Sequence, residues 1–123
     1  MDEFLEKAGI TLLRDEYVLI DDSFYLYGRP DYERPGRGID KRKTPQEITD
    51  GMDVSLPVLV IDHEPRELQE LADAGVDVDL CGHTHDGQVF PGNIVIRFFW
   101  ENKCGYLKKG NMHNIVTSGV GLF

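Results

Sequence analysis

Two apolar runs decide the fold: Leu56-Pro57-Val58-Leu59-Val60-Ile61 and Val76-Asp77-Val78-Asp79-Leu80-Cys81. The first is continuously apolar, which suits a strand covered on both faces within a parallel sheet. Between the runs, residues 65–74 read as a helix, with Leu68 and Leu71 three apart and Gly75 as terminator. Strand, helix and strand in about 25 residues make a βαβ unit, with a crossover expected to be right-handed. The fold class is therefore α/β, with a mixed sheet containing one βαβ unit. Asp79 is out of place in a buried strand unless its face is solvated or paired.

Upstream, Tyr17-Val18-Leu19-Ile20 and Ser23-Phe24-Tyr25-Leu26-Tyr27 flank the acidic pair Asp21-Asp22, the pattern of a hairpin. Residues 3–8 read as a short helix with Asp2 at its N-cap and Gly9 past its end, and 10–14 as extended. Residues 28–43 turn to Gly, Pro and charge, a long surface loop. Thr44-Pro45-Gln46-Glu47 then forms a capping box, and Gly51 keeps its helix short. Downstream, residues 93–100 and 113–118 read as two strands joined through turns at Gly105 and Gly110.

At 123 residues the chain has room for one domain. Its net charge of −9 argues against sequence-independent nucleic-acid binding, since an anionic protein repels a polyanion. A phosphate-bearing substrate would need local cations, which bound metal ions supply. No run approaches the roughly 20 apolar residues of a membrane span, and the acidic, amphipathic start is not a secretory signal. The two cysteines imply no disulfide framework. Cys81 reads as a small core residue and Cys104 as part of a turn. A reducing, cytoplasmic setting fits best.

His63 stands where the first parallel strand ends, and Gly82-His83-Thr84-His85 where the second ends. Open α/β sheets bind ligands at the carboxyl ends of their strands, so three imidazoles are delivered to one rim. In an extended segment residues i and i+2 point the same way, about 6.5–7 Å apart. Two metal ions about 3.5–4 Å apart can each take one of those imidazoles. A small Gly82 is expected to let the chain turn into the site. The competing reading makes His63 a helix cap and His83 and His85 exposed loop residues. His113 opens a strand with no partner in sequence and reads as structural.

Val60-Ile61-Asp62-His63-Glu64-Pro65, followed by Gly82-His83-Thr84-His85-Asp86-Gly87-Gln88-Val89, resembles the C-terminal half of a calcineurin-like metallophosphoesterase. The similar branch is the bacterial one in which Gly-His-Thr-His is followed by Gly-Gln. The likeness extends over the opening helix and hairpin and the terminal Val116-Thr117-Ser118-Gly119-Val120-Gly121. It implies part of a four-layer α/β/β/α sandwich. It also implies a phosphohydrolase with two divalent ions (Mn, Fe or Zn), His63 and His83 ligating one and His85 the other, while Gly82, Gly87 and Gln88 shape the rim. In such enzymes the metals polarise a phosphoryl oxygen and lower the pKa of a bridging water that attacks in line.

The family's Asp-x-His, Gly-Asp-x-x-Asp and Gly-Asn-His-Asp or Glu segments do not occur in these residues. They would supply the bridging aspartate, the remaining ligands and the catalytic histidine. Residues 1–123 are therefore expected to be one partial domain of a longer enzyme, inactive alone, with apolar faces that promote self-association. The expected partner of the whole enzyme is a small phosphoester or pyrophosphate substrate, nucleotide-linked or lipid-linked, and membrane association of the parent stays open. Asp86 replaces the branch's usual glycine, and Ser118 an arginine that would contact phosphate. The alternative function is a non-catalytic metal-binding or interaction module, its three histidines holding one Zn or Ni.

Three further features carry two readings each. Arg29, Arg34, Arg37, Lys41, Arg42 and Lys43 form a basic stretch, either an ordinary solvated loop or a loop reaching substrate phosphate. Phe98-Phe99-Trp100 is either core packing or a contact to lipid. Glu64 either caps a helix or orients a ligand imidazole.

Overall fold

A computed structural model describes residues 2–31, 41–82 and 100–118. The βαβ unit is present: β3 (Val58–Ile61) and β4 (Val78–Cys81) run parallel, joined through α3 (Leu68–Asp73). The acidic hairpin is present too, as β1 (Glu16–Ile20) antiparallel to β2 (Phe24–Gly28). Asp21 and Asp22 both take positive φ, 47° and 51°, the left-handed turn that matches strand twist. β2 also runs parallel to β3, linked through α2 (Pro45–Ile48), so a second crossover adjoins the expected one. The four-residue length of α2 concealed it. On the far side β6 (Met112–Val116) pairs parallel with β4 and antiparallel with β5 (Gly105–Lys109), giving the order β1-β2-β3-β4-β6-β5. The expected strand over 93–100 lies outside the described residues apart from Trp100.

Burial alternates along the strands, as the pleat requires. Tyr25, Tyr27, Val58, Val60 and Met112 face Ile48 of α2 and Leu68 and Leu71 of α3 in one core cluster. The opposite face carries Val18, Leu26, Leu59, Ile61, Leu80 and Ile115, all partly or well exposed, with Ile61 at 47%. The expectation that β3 is covered on both faces therefore fails for the described residues. Its apolar run is continuous, but the described helices pack only on the side of Val58 and Val60.

Several boundaries differ from the sequence reading. α1 covers Asp2–Lys7 and buries no residue; Asp2 lies inside its first turn and takes a two-pronged pairing from Arg14, at 2.9 and 3.1 Å, instead of capping. Residues 10–14 join no strand but cross close over β2. A Cβ on Gly28 would sit 2.5 Å from the Leu13 Cβ and 2.7 Å from its carbonyl oxygen, so that crossing requires glycine. α3 starts three residues later than the helix expected over 65–74, because Glu67 stands left-handed at φ 58° and blocks a helical turn before it. The capping box at Thr44 forms with Glu47 as its third residue. Cys81 is buried, Cys104 exposed, and both are free thiols.

Candidate functional site

Backbone pairing continues past the strand ends and builds a rim from four of them. The Arg29 amide donates to Ile61 O at 2.9 Å, Asp62 to Leu80 O at 2.9 Å, Gly82 to His63 O at 3.1 Å and Thr117 to Cys81 O at 2.8 Å. The Gly82 bond ties the residue preceding His83 directly to the main chain of His63. His63 itself is exposed on this rim. His83 and His85 lie outside the described residues, as do Asp86, Gly87 and Gln88. Among the described residues no group of three His, Cys, Asp or Glu is placed to hold a metal ion. A Cβ on Gly82 would meet Thr117 O and Oγ1 at 3.6 and 3.7 Å, ordinary contact. The described neighbours therefore do not demand glycine there.

Behind His63 stands a buried ion ring. Arg29 donates from one guanidinium nitrogen to Asp62 Oδ2 at 2.9 Å and from the other to Glu67 Oε2 at 2.7 Å. Arg42 does the same, reaching Asp62 Oδ1 and Oδ2 at 3.1 and 3.2 Å and Glu67 Oε2 at 2.8 Å. The Arg29 and Asp62 side chains are 0% exposed, Arg42 5% and Glu67 33%. Asp62 Oδ1 also accepts the main-chain N–H of His63 at 2.7 Å and of Glu64 at 3.3 Å. Burial pushes the Asp62 carboxyl up, against the pull of the two guanidinia. Glu67 is partly desolvated, yet Arg29 and Arg42 hold it below the usual carboxylate range.

Neither reading of the basic stretch survives for Arg29 and Arg42: they are neither solvated nor aimed at substrate, but buried against carboxylates from β3 and the start of α3. Arg34 and Arg37 lie outside the described residues. Lys43 anchors the end of the loop, its amide donating to Asp15 Oδ2 at 3.0 Å and its Nζ to Asp15 O at 2.9 Å. Glu64 is buried and pairs with Arg66, whose guanidinium lies 4.6 Å from the centroid of the Trp100 ring. Trp100 thus takes part in the packing beside the rim; Phe98 and Phe99 lie outside the described residues. His113 shares a 2.8 Å hydrogen bond with the Tyr106 hydroxyl on the β5–β6 hairpin.

A second buried carboxylate lies on the same face of β4. Asp79 is 0% exposed. Its Oδ2 accepts from Asn114 Nδ2 at 2.8 Å and lies 3.7 Å from Cys81 Sγ, and its Oδ1 has no hydrogen-bond partner among the described residues. Asn114 Oδ1 in turn accepts from Asn102 Nδ2 at 2.6 Å. Burial, with the negative charge of Asp62 nearby, pushes Asp79 up to about 7. Pairing answers the oddity of an aspartate in this strand only for one oxygen.

An imidazole held at a strand end suits divalent ions of borderline softness, so His63 fits a metal role; the described residues supply that one donor. No family model matches the chain, and no solved structure does. Curated relatives do. An uncharacterized metallophosphoesterase of Aquifex aeolicus is 32% identical over 121 residues, 97% of this chain and 46% of that protein. The phosphodiesterase YaeI of Escherichia coli is 32% identical over 126 residues, covering 97% and 43%. A transmembrane protein with a metallophosphoesterase domain, from Danio rerio, is 28% identical over 136 residues, covering 98% and 30%. The chain spans less than half the length of each. No helix among its own described residues is long and apolar enough to cross a membrane.

Proposed function

On the premise that this chain is a homologue of metallophosphoesterases over nearly its whole length, we propose that it is the C-terminal portion of a dinuclear metal-dependent phosphohydrolase. In that reading His63, His83 and His85 are its metal ligands, and the substrate is a small phosphoester or pyrophosphate. The metals, Mn, Fe or Zn, would supply Lewis-acid activation of the phosphoryl group and of the attacking water. This chain's own part is to hold imidazoles at the sheet rim. The observation that carries the reading is the Gly82 amide bonded to the His63 carbonyl, since it joins the strand end bearing His63 to the residue that precedes His83 in the sequence.

Zn²⁺ titration of residues 1–123 tests it. The melting temperature should rise with added metal, because an ion bound to the folded state alone stabilises it by mass action. His63→Ala and His83→Ala should each abolish the rise, and its absence in the unsubstituted chain would overturn the reading. Residues 1–123 alone should not hydrolyse p-nitrophenyl phosphate; metal-dependent turnover would contradict the incomplete site. The apolar sheet face around Leu59, Ile61 and Ile115 should drive self-association. Light scattering that stays monomeric at high concentration would count against that.

A further inference from the structure

Residues 2–22 gather negative charge and uncovered apolar area in one stretch. They hold seven acids against Lys7 and Arg14, and so five of the nine net negative charges. They also hold six of the ten large apolar side chains that stand exposed among the described residues: Phe4, Ile10, Leu12, Tyr17, Val18 and Leu19. α1 buries no residue, and every residue of β1 is exposed or half-buried. Uncovered apolar area rimmed by charge of one sign marks a surface that another molecule meets.

β1 is the outermost strand beside β2, so its second row of N–H and C=O groups has no strand to bond among the described residues. The opposite edge is guarded. β5 presents Lys108 and Lys109, and lysines on an edge strand discourage the addition of another. β1 has no such guard: Tyr17, Val18, Leu19 and Ile20 are all apolar, and Tyr17 is braced edge-on against Tyr25 with ring centroids 5.4 Å apart. Glu16 stands at one end of this run and Asp21 and Asp22 at the other, none of them in an ion pair among the described residues.

The geometry points to β1 as the docking edge for an extended segment of another protein, apolar at its centre and rich in lysine or arginine at its ends. The inference stands apart from the metal reading. Strand addition takes its affinity from main-chain hydrogen bonds and its selectivity from the side chains that alternate along the new strand. Here the selectivity is electrostatic, since cations at the two ends would meet Glu16 and the Asp21–Asp22 pair. The same charges disfavour a second copy. An antiparallel second β1 would lay its Glu16 beside the acidic turn of the first, and like charges across strands repel.

The probe is the synthetic peptide Lys-Lys-Val-Thr-Val-Thr-Lys-Lys, titrated into isotope-labelled residues 1–123 and followed by nuclear magnetic resonance. Its charge-reversed counterpart is Glu-Glu-Val-Thr-Val-Thr-Glu-Glu. The basic peptide should shift the amides of residues 16–20 and slow their hydrogen exchange, while the acidic one binds about 10-fold more weakly or worse. Salt at about 1 M, where charges are screened beyond about 3 Å, should remove most of that preference. Glu16→Lys, an exposed substitution, should narrow the preference severalfold. Val18→Lys should abolish the protection of β1, because it plants a guard at the strand centre. Equal binding of the two peptides, binding of neither, or shifts confined to the open sheet face around Ile61 and Ile115 would each overturn the inference. So would protection of the β1 amides that grows with protein concentration and needs no peptide, since the occupant would then be a second copy.

Discussion

Asp62, one residue past β3, and Asp79, on β4, lie on the same helix-covered side of the sheet, and neither carboxylate side chain is exposed. Their surroundings could hardly differ more. Asp62 has two guanidinia and two main-chain amides around its two oxygens. Asp79 has the Asn114 amide and the Cys81 thiol on one oxygen and, among the described residues, nothing on the other. A buried charge is tolerable when paired and hydrogen-bonded; otherwise the group takes up a proton instead. The first solution keeps an ion and fixes a backbone. The second keeps a neutral acid below about pH 7, and leaves a site whose charge is set by solution pH.

Breaking the compensation at Asp62 should have the largest effect. Arg29→Met leaves the carboxylates of Asp62 and Glu67 sharing one guanidinium, and removing one member of a buried pair typically costs about 3–5 kcal/mol. Urea denaturation at pH 7 measures it; a loss below about 1 kcal/mol would mean that Arg42 alone suffices.

Asp79→Asn should show the opposite dependence on charge. Burial pushes the folded acid up to about 7, against the ordinary 3.8 of the unfolded side chain. Between those values the folded state binds more protons, so the contribution of Asp79 to stability falls as pH rises through that window and is level above it. The difference in unfolding free energy between the natural chain and Asp79→Asn should therefore drop by about 2–4 kcal/mol from pH 4 to pH 8. A flat difference would mean that Oδ1 is solvated or paired in solution.

The sequence made one of these carboxylates conspicuous and hid the other. Asp79 stood out because it interrupts an apolar strand, and its neighbours in the chain gave no partner. Asp62 reads as an ordinary strand end, and its partners Arg29 and Arg42 lie 33 and 20 residues away in a stretch whose composition is that of a solvated loop. Local pattern reports periodicity and caps, which is why the hairpin, the βαβ unit and the Thr44 box were legible. It does not report which distant charges meet in the interior. The late start of α3 has the same origin: Glu67 is held in a left-handed conformation by ion pairs that its own segment does not contain. For the candidate site, His63 was legible as a strand-end imidazole, while the partnership with His83 and His85 falls outside the described residues.

The smallest effect is expected where a carboxylate is exposed and its partners are local, which sets the baseline for both buried cases. Glu47 accepts the Thr44 amide at 2.8 Å while its own amide donates to Thr44 Oγ1 at 3.4 Å. Those bonds from the Thr44 backbone and hydroxyl hold Glu47 below its ordinary value of 4.5. A depressed carboxylate contributes stability above its unfolded pKa and loses it as pH falls through its folded one, the reverse of Asp79. Thr44→Ala should cost about 1 kcal/mol at pH 7. The deficit should shrink as pH falls below 4.5, the ordinary value of the side chain, as the natural box opens too. Thermal melts of both chains across pH 2–7, against the Asp79→Asn series, check the two opposite slopes in one experiment. If the deficit instead grew with acid, the Thr44 hydroxyl would be capping α2 without help from Glu47, and the reciprocal box would be a feature of geometry with no share in the energy.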